Sequence, residues 1–335
     1  MNALRKLAPG VGGLALTDMA LPTAGPGQVV LDILGAGVCG TDLHIEAGEF
    51  PCAPPVTLGH EICGRVVEVG EEVANHWTGE RVVVETFFAT CGVCRWCRDG
   101  RPNLCPERRS LGVHVDGGFA ARAVVPERNL HPVPDWVSDH AAALFEPLAC
   151  VCQAMLGPSC IEPGDNLLVF GPGPVGLLAA QVARTCGARV TVVGRPGVDD
   201  ARLEHAERLG LASGLVEELR DSTDVDVAIE CSGSAQAAAT ALQLLRRAGT
   251  LVQLGIFGRD VALPLDLLLY KELRYRSGFA STPRAWRDAV RLVTERAVDL
   301  EQLVTVAVPL AAWPEVFSRL RAQDAMKVVF DPRID

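Results

Sequence analysis

The first half of the chain contains short apolar runs that are rich in valine and isoleucine. Glycine and proline interrupt these runs, and a turn-forming stretch occupies residues 22–27. A long helical period is missing before about residue 140. This pattern predicts a β-rich first half, with strands at 28–34, 62–69 and 80–85.

The pattern changes after residue 165, where β-branched runs begin to alternate with stretches of helical composition. Strands alternating with helices of this length predict a parallel sheet with right-handed crossovers. Thr282 and Pro283 then mark the start of a further helix, because a hydroxyl side chain caps it and proline fits its first position. The predicted strands are 166–170, 189–193, 225–230, 250–254 and a final one at 327–330, and the predicted helices are 175–185, 201–209 and 235–246.

Length and composition limit the class of protein. A chain of 335 residues with 49% hydrophobic and 21% charged residues is long enough for about two globular domains. The net charge is −10 and no long basic cluster occurs, which argues against a nucleic-acid partner. The sequence has neither an apolar run long enough to span a bilayer nor a signal peptide, so a cytoplasmic location is expected.

Four of the twelve cysteines are closely spaced, in a C-x2-C-x2-C-x7-C pattern. Four thiolates on short loops can surround one tetrahedral Zn²⁺, and in a reducing compartment clustered thiols bind metal more often than they pair. An iron–sulfur cluster is the alternative, although its usual spacings differ. The pattern predicts a structural zinc site, formed by Cys91, Cys94, Cys97 and Cys105.

A glycine-rich turn follows the first strand of the alternating region and precedes a helix. It has the pattern G-x-G-x-x-G, in which the glycines allow a tight turn and close approach of the backbone to a pyrophosphate. In this strand–turn–helix context the pattern predicts a dinucleotide site. Its residues are Gly171, Gly173, Pro174, Val175 and Gly176.

The next strand, 189–193, lacks the terminal acid that usually binds the adenosine ribose. Arg195 follows it and Arg202 comes seven positions later, which favours a 2′-phosphate and therefore NADP(H) over NAD(H). Two alternatives stay open: Arg195 faces solvent only, or Asp199 and Asp200 reach a ribose.

A third set of chemically active residues is dispersed along the sequence. Cys39, His60 and Glu146 together offer a thiolate, an imidazole and a carboxylate. Three such protein ligands with one open position are typical of a catalytic zinc. The spacing along the chain does not by itself show that these residues meet.

Taken together, these motifs resemble the zinc-dependent medium-chain alcohol dehydrogenase superfamily, in particular its sorbitol (L-iditol) and threonine dehydrogenase branch. The resemblance covers essentially the whole chain. It is carried by G-V-C-G-T-D-L-H at 37–44, G-H-E at 59–61, the four cysteines, E-P-L at 146–148, the glycine turn and K-V-V at 327–329.

The resemblance implies an α/β protein with two domains. Residues 1–147 and 281–335 are expected to form a β-rich, GroES-like (chaperonin-10-like) catalytic domain that carries the structural zinc lobe at 88–106. Residues 148–280 are expected to form a Rossmann NAD(P)-binding domain, a doubly wound parallel sheet.

The resemblance also implies the site. Cys39 and His60 match two catalytic zinc ligands, and Glu61 and Glu146 are expected to compete for the remaining position. Both His60 and Glu61 can reach one ion only if the backbone bends there, because neighbours in a strand point to opposite faces. Thr41 resembles the first residue of a proton relay whose second residue is His44.

Substrate and cofactor contacts follow from the same resemblance. Sorbitol dehydrogenases carry an Arg-Tyr pair where this chain has Ala280 and Ser281. This difference argues against sorbitol itself and leaves other secondary alcohols, diols, cyclitols or sugar derivatives as candidate substrates. The segments matching the nicotinamide side of the site are Leu254, Gly255 and Ile256, and Phe279, Ala280 and Ser281.

The expected activity is hydride transfer between a polyol-like secondary alcohol and NAD(P)+, with two zinc ions per chain. A threonine or amino-alcohol dehydrogenase is the alternative within the family, and a catalytically silent, zinc-stapled binding protein is the alternative outside it. The presence of Cys39, His60 and both carboxylates argues against the silent protein and against a metal-free quinone reductase. A homodimer or homotetramer is expected from the resemblance.

Overall fold

A computed structural model describes residues 1–157, 159–219 and 224–334. Its strands are β1 (Asn2–Lys6), β2 (Leu14–Asp18), β3 (Gln28–Gly37), β4 (Val56–Thr57), β5 (Glu61–Val69), β6 (Arg81–Val84), β7 (Phe87–Ala89), β8 (Arg109–Ser110), β9 (Arg122–Pro126), β10 (Leu130–Pro132), β11 (Asn166–Phe170), β12 (Arg189–Gly194), β13 (Ala212–Leu215), β14 (Val225–Glu230), β15 (Leu245–Gln253), β16 (Arg274–Ser277), β17 (Val306–Val308) and β18 (Val328–Phe330).

The helices of the described residues are α1 (Gly40–Glu46), α2 (Arg95–Arg98), α3 (Asp139–Ala142), α4 (Phe145–Met155), α5 (Pro174–Thr185), α6 (Asp200–Arg208), α7 (Ala235–Leu244), α8 (Asp266–Tyr270), α9 (Pro283–Thr294) and α10 (Trp313–Arg321). Helices before residue 140 have at most seven residues, as the pattern of the first half predicts. Short 3-10 segments occupy Asn75–Trp77, Pro102–Leu104, Glu127–Asn129, Glu301–Leu303 and Leu310–Ala312.

The chain divides into two compact units. One unit consists of Met1–Glu146 and Leu300–Asp335, in which Asp335 lies outside the described residues, and the other is Pro147–Asp299. The second boundary therefore lies at Leu300, later than the 281 expected from the sequence.

Contacts within the second unit explain the later boundary. Asp299 N–H donates to Gln181 Oε1 at 2.8 Å, and Gln181 Nε2 donates back to Asp299 O at 3.1 Å. Thr282 Oγ1 donates to Gln153 Oε1 at 2.6 Å. These bonds attach both ends of the segment that contains α9 to α4 and α5.

The first unit is built on a mainly antiparallel sheet with the described order β10-β6-β5-β3-β18-β17, in which β17 and β18 pair in parallel and β9 also pairs with β3. In β3 the side chains of Val29, Leu31 and Ile33 alternate into the core, and β5 contributes Ile62 and Val66. The rings of Phe119 and Phe330 pack edge to face in this core, with centroids 4.9 Å apart. The core joins the N-terminal strands to the C-terminal β18 and thereby fixes the loops that follow β3 and precede β5.

The second unit contains a parallel sheet with the described order β13-β12-β11-β14-β15-β16. Parallel pairing of β11 with both β12 and β14 confirms the expected α/β arrangement. Its core includes Leu168, Phe170 and Val193, as expected for strands that are covered on both faces.

The boundaries of two helices in the second unit can be compared directly with the sequence prediction. Helix α9 starts at Pro283, and Thr282 Oγ1 accepts the N–H of Ala285, which is the predicted cap. The helix predicted at 235–246 ends earlier, at Leu244, because Leu245 already pairs with Val225 as the start of β15.

Candidate metal and cofactor sites

The first candidate site begins where β3 ends. Cys39 is the N-cap of α1, and its backbone N–H donates to the side chain of Asp42 at 2.9 Å. This reciprocal capping arrangement fixes the start of the helix. The Cys39 thiol is thereby held on a short, well-defined turn, and Thr41 Oγ1 lies 3.7 Å from its sulfur atom.

The second part of the site is the turn before β5. Gly59 has φ +88°, and a Cβ at this position would lie 2.4 Å from the ring of Phe119, so only glycine fits. β5 starts at Glu61, which leaves His60 between the left-handed residue Gly59 and the strand. His60 therefore lies outside the regular alternation of side chains in β5, as binding of one ion by both His60 and Glu61 requires.

Cys39, His60 and Glu61 lie together. One ligand atom from each falls within 4.8 Å of the others, and His60 and Glu61 are buried. A thiol, an imidazole and a carboxylate are a donor set that suits Zn²⁺. The structure thus brings together residues that the sequence alone left apart.

Glu146 is outside that group of three among the described residues. It is buried, and its Oε1 accepts the hydroxyl of Thr86 at 2.9 Å. Its carboxylate is one of the charges that raise the pKa of His60, so it lies in the same electrostatic environment.

The negative charge of the acidic side chains around Cys39, His60 and Glu61 is only partly neutralised by Lys327. Lys327 is buried, forms an ion pair with Glu61 and donates to the carbonyl of Val38 at 3.0 Å. Burial opposes the protonated form of His60, but Cys39, Asp42 and Glu146 outweigh it and hold the pKa of His60 well above its usual range.

A buried carboxylate lies behind the imidazole of His60. Asp42 is fully buried and burial raises its pKa, while His60 Nδ1 and Asp42 Oδ1 are 3.8 Å apart and have no hydrogen-bond partner in the described structure. Buried polar atoms without partners are costly, and a carboxylate behind an imidazole is the arrangement that orients a metal-bound histidine. The residues present therefore fit a zinc ion.

Three residues of this site were missed by the sequence analysis: Asp42, Thr86 and Lys327. Asp42 could be recognised from the sequence, because it lies three positions after Cys39 at the start of a helix, which is the spacing of a capping box. The sequence indication for Lys327 is weaker, since it is only a cation at the edge of an otherwise apolar run. The sequence gives no indication for Thr86, because its role depends on a partner sixty positions away.

The predicted relay residue His44 lies in the last turn of α1. Its Nδ1 is 2.6 Å from Glu49 Oε2, and both side chains are partly exposed. An ionised carboxylate only accepts hydrogen bonds, so this contact favours the tautomer with the proton on Nδ1 and leaves Nε2 as the basic nitrogen.

The four cysteines form the second metal group. One sulfur atom from each lies within 4.8 Å of the others, and the Sγ atoms of Cys91 and Cys105 are 3.6 Å apart. Sulfur atoms around one tetrahedral zinc are about 3.8 Å apart when each Zn–S bond is about 2.3 Å. All twelve cysteines lie in the described part of the chain and all are free thiols, so the cluster is not closed by disulfides.

Backbone N–H groups already favour thiolate character in this cluster. The N–H groups of Cys94 and Val93 donate to Cys91 and lower its pKa to about 7. Burial instead raises the pKa of Cys97 to about 11. Because thiolates repel one another, complete ionisation of the four requires a bound cation, and the group fits a closed structural zinc site.

The glycine turn in the second unit is as tight as predicted. A Cβ at Gly176 would lie 1.9 Å from the carbonyl oxygen of Gly171, and Gly171 itself has φ +99°. A Cβ at Gly173, the N-cap of α5, would meet no atom within 4 Å. Gly173 therefore faces open space at a helix N-terminus, where a pyrophosphate fits. Pro174 and Val175 form the first turn of this helix.

The segments predicted for the nicotinamide side differ in exposure. Ile256 and Phe279 are 52% and 47% exposed. The N–H groups of Leu254 and Gly255 donate to the carbonyl of Glu230. The remaining pair is more constrained, since Ala280 has φ +51° and the buried Ser281 accepts the indole N–H of Trp286 at 3.0 Å.

Comparison with known proteins gives a consistent picture. The family model described as alcohol dehydrogenase GroES-like domain matches residues 25–135, and that described as zinc-binding dehydrogenase matches residues 174–295. A sorbitol dehydrogenase of Halalkalibacterium halodurans is 37% identical, covering 99% of each chain. An L-threonine 3-dehydrogenase of Xanthomonas oryzae pv. oryzae is 33% identical, covering 95% of this chain and 96% of the relative.

A solved structure extends the similarity to three dimensions. It is a candidate zinc-binding dehydrogenase of Sinorhizobium meliloti 1021 bound to NADP, with a TM-score of 0.90, 33% identity and 99% of each chain covered. Within the described residues, no helix is long and apolar enough to cross a membrane.

Proposed function

The chain belongs to the zinc-binding alcohol dehydrogenases with a GroES-like domain, and we propose that it oxidises a polyol-like secondary alcohol with NAD(P)+. The substrate class comprises sugar alcohols, diols and cyclitols. The observation that carries this proposal is the buried group of Cys39, His60 and Glu61, whose donor set suits a Lewis-acidic metal. The similarity to a sorbitol dehydrogenase over 99% of the chain supports the same substrate class.

The residues around this group have separate tasks. When bound, zinc acidifies a substrate hydroxyl and the nicotinamide accepts a hydride. Cys39 and His60 hold the metal, and Asp42 orients the imidazole of His60 from behind. Glu61 and Glu146 compete for the remaining ligand position, and each has another partner, Lys327 for Glu61 and Thr86 for Glu146.

A proton must leave the substrate hydroxyl, and α1 carries the residues that accept it. Thr41 lies beside the sulfur atom of Cys39 and is the first acceptor in the proposed path. His44 is the second, because the Glu49 carboxylate keeps its proton on Nδ1 and leaves Nε2 basic. The partial exposure of His44 and Glu49 gives the proton access to solvent.

The cofactor occupies the glycine turn in this proposal. Gly173 and the N-terminus of α5 would hold its pyrophosphate. The segments Leu254–Gly255–Ile256 and Phe279–Ala280–Ser281 would line its nicotinamide side, as the family resemblance implies. The four-cysteine group holds a second, structural zinc. We further propose a cytoplasmic homodimer or homotetramer, as expected from the family resemblance.

The test combines metal analysis with a substrate screen. Purified protein is expected to contain about two zinc ions per chain. It should reduce NAD+ or NADP+ with at least one polyol, diol or cyclitol as substrate. The absorbance of the reduced nicotinamide measures this reaction. Turnover with L-threonine alone would instead favour the amino-alcohol reaction, which the similarity to an L-threonine 3-dehydrogenase supports.

Cys39→Ala gives the decisive variant. It should lose about one zinc per chain and at least about 1,000-fold in kcat/KM, while the melting temperature stays within a few degrees of the parent, because the structural site is intact. Cys52→Ser is the matched control, since Cys52 is a half-buried cysteine of the same unit outside both metal groups. Full activity of Cys39→Ala without zinc in this site would refute the mechanism.

A further inference from the structure

A buried acid lies at the carboxyl ends of the two central strands of the parallel sheet. The described order of strands reverses between β11 and β14, and Glu230, the last residue of β14, is in register with Phe170, the last residue of β11. A Cβ at Gly171, the first residue of the glycine turn, would lie 2.8 Å from Cβ of Ser232. Open α/β sheets bind ligands in the crevice at such a reversal, so Glu230 lies at the end of the sheet where the dinucleotide is expected.

The side chain of Glu230 is fully buried, and its hydrogen-bond donors are uncharged groups. Its Oε1 accepts the N–H of Ser232 at 2.7 Å and also the hydroxyl of that residue. Its Oε2 accepts the N–H of Gly233 at 3.2 Å and the side-chain amide of Gln253 at 2.7 Å. The described residues place no lysine, arginine or histidine within ion-pair distance of this carboxylate. The donors satisfy an ionised carboxylate, which only accepts hydrogen bonds, but they do not neutralise its charge.

The negative charge of Glu230 acts on its neighbour in the chain. Burial raises the pKa of Cys231, and the charge of Glu230 raises it further. A second buried acid near this end of the sheet differs, because Asp199 forms an ion pair with Arg195 and also acts on the half-buried Arg202 of α6. In the described structure Glu230 therefore lacks the counter-ion that Asp199 has.

Glu230 also contacts the segment that the family resemblance assigns to the nicotinamide side. Its backbone carbonyl accepts the N–H groups of Leu254 at 2.8 Å and Gly255 at 2.9 Å. A Cβ at Gly255 would lie 2.4 Å from Oε2 of Glu230, so only glycine allows this approach. The Gln253 amide that donates to the carboxylate also donates to the carbonyl of Gly255 at 2.7 Å. The carboxylate is thus packed directly against the expected nicotinamide segment.

We propose that Glu230 is a specificity-determining residue that makes the site prefer the oxidised nicotinamide cofactor over the reduced one. This inference rests on the proposed function, because it concerns the cofactor of the same reaction. The nicotinamide ring of NAD(P)+ carries a positive charge, and the ring loses this charge when it accepts a hydride. A buried negative charge nearby stabilises the cationic ring, since opposite charges attract more strongly where water is excluded. Glu230 thereby favours binding of NAD(P)+ and release of NAD(P)H, the exchange that alcohol oxidation requires.

The test measures the dissociation constants of NAD+, NADH, NADP+ and NADPH by calorimetry on the zinc-loaded, full-length protein without substrate. Glu230→Gln keeps the size of the side chain and removes its charge. It should weaken binding of the oxidised cofactor about tenfold relative to the reduced one, the effect of one unit charge over about 10 Å at an effective dielectric constant of about 20. Asp226→Asn is the control, because Asp226 lies near the other end of β14 and is balanced by Arg246. It should leave this ratio unchanged.

A second variant neutralises the charge without removing the acid. Gln253→Lys places an ammonium group where the amide of Gln253 donates to Glu230 and to the carbonyl of Gly255, and both acceptors suit it. It should lower the preference for the oxidised cofactor about as much as Glu230→Gln does. Glu230→Asp keeps the charge and should keep the preference within about threefold, even where the shorter side chain weakens binding of both forms.

An unchanged ratio of the two dissociation constants in Glu230→Gln would overturn the inference, because a purely structural role weakens both forms of the cofactor equally. If that variant does not fold, an unchanged ratio in Gln253→Lys decides in the same way. An equal shift in Asp226→Asn would also overturn it, since net charge alone would then explain the effect. A parent protein that binds both forms but oxidises no alcohol refutes only the proposed function, whereas one that binds neither form refutes both.

Discussion

The carboxylate of Asp42 lies between the amide of Cys39 and the imidazole of His60, and it is fully buried. Asp42→Asn keeps the size of the side chain but removes the charge that orients and polarises the histidine. We expect zinc affinity at this site to fall by about 10- to 100-fold, the usual effect of losing such a partner. Zinc content after dialysis against chelators of graded strength measures this.

Asp32→Asn is the control for this substitution, because Asp32 is a partly exposed aspartate of the same unit that pairs with Arg122. The four-cysteine zinc should be retained in both variants. If Asp42→Asn keeps both zinc ions at every chelator strength that the parent tolerates, Asp42 does not support the metal site.

Single residues also show how far sequence reasoning extends. The turn glycines and the four cysteines are predictable because each motif is local, and local spacing determines which atoms can meet. The meeting of Cys39 with His60 and Glu61 is not local, and only the family resemblance indicated it. The alternative in which Asp199 reaches a ribose stayed open, because a sequence does not show that a side chain folds back onto its own turn.

The segment 91–105, between β7 and β8, has little regular structure of its own. It contains α2, which has four residues, and one 3-10 turn, so we expect a bound zinc ion to be the main constraint on its conformation. Cys94→Ser removes one of four ligands and should lower the melting temperature by at least about 5 °C, as expected for a loss of a few kcal/mol in a unit of this size. Scanning calorimetry at constant zinc concentration measures this.

The comparison variant is Cys52→Ser, which should melt with the parent protein. The two variants should differ in the property that each mainly loses. Cys94→Ser should mainly lose thermal stability, whereas Cys39→Ala should mainly lose activity. A Cys94→Ser protein that melts normally and has lost only its activity would mean that the four-cysteine group is not a structural site.

Secondary-structure elements were predictable where the hydrophobic period and the end signals agree. Helix α9 begins at the predicted proline and cap. The predicted end of α7 was wrong by two residues, because residues of high helix propensity continue through Arg246 while pairing with β14 begins at Leu245. Tertiary pairing overrides local propensity at such a boundary.

At the scale of the whole molecule, the division of the chain depends on contacts between distant residues. The bonds between Gln181 and Asp299 join positions 118 apart and keep α9 with the second unit. No local composition change marks Leu300, and the boundary at 281 came from the family resemblance alone. The C-terminal segment that follows has its own anchor in the first unit.

That anchor is Asp331, which is 3% exposed. Its carboxylate accepts hydrogen bonds from the guanidinium of Arg333, at 2.7 and 2.8 Å, and lies 2.9 Å from His140 Nε2. Arg333 also bonds to Asp139 and to the carbonyl of Leu34. The network ties the end of the chain to α3 and β3.

The network gives folding stability a defined dependence on pH. Burial opposes ionisation of Asp331, but the bonds from Arg333 and His140 prevail and lower its pKa to about 2 from 3.8. A carboxyl group with a lowered pKa in the folded state stabilises the protein above its unfolded pKa, and the contribution disappears as pH falls from about 4 to about 2. A shift of this size corresponds to about 2 kcal/mol at neutral pH.

Asp331→Asn should therefore be less stable than the parent at pH 7 by about 2 kcal/mol, and the difference should shrink as pH falls through this window. Urea unfolding of the first unit at pH 7, 4 and 3, followed by the fluorescence of its tryptophans, measures the difference. Asp135→Asn, at an exposed aspartate of the same unit, should show no such trend. A stability difference between Asp331→Asn and the parent that stays constant from pH 7 to pH 3 would show that the variant acts through packing rather than through the charge of Asp331.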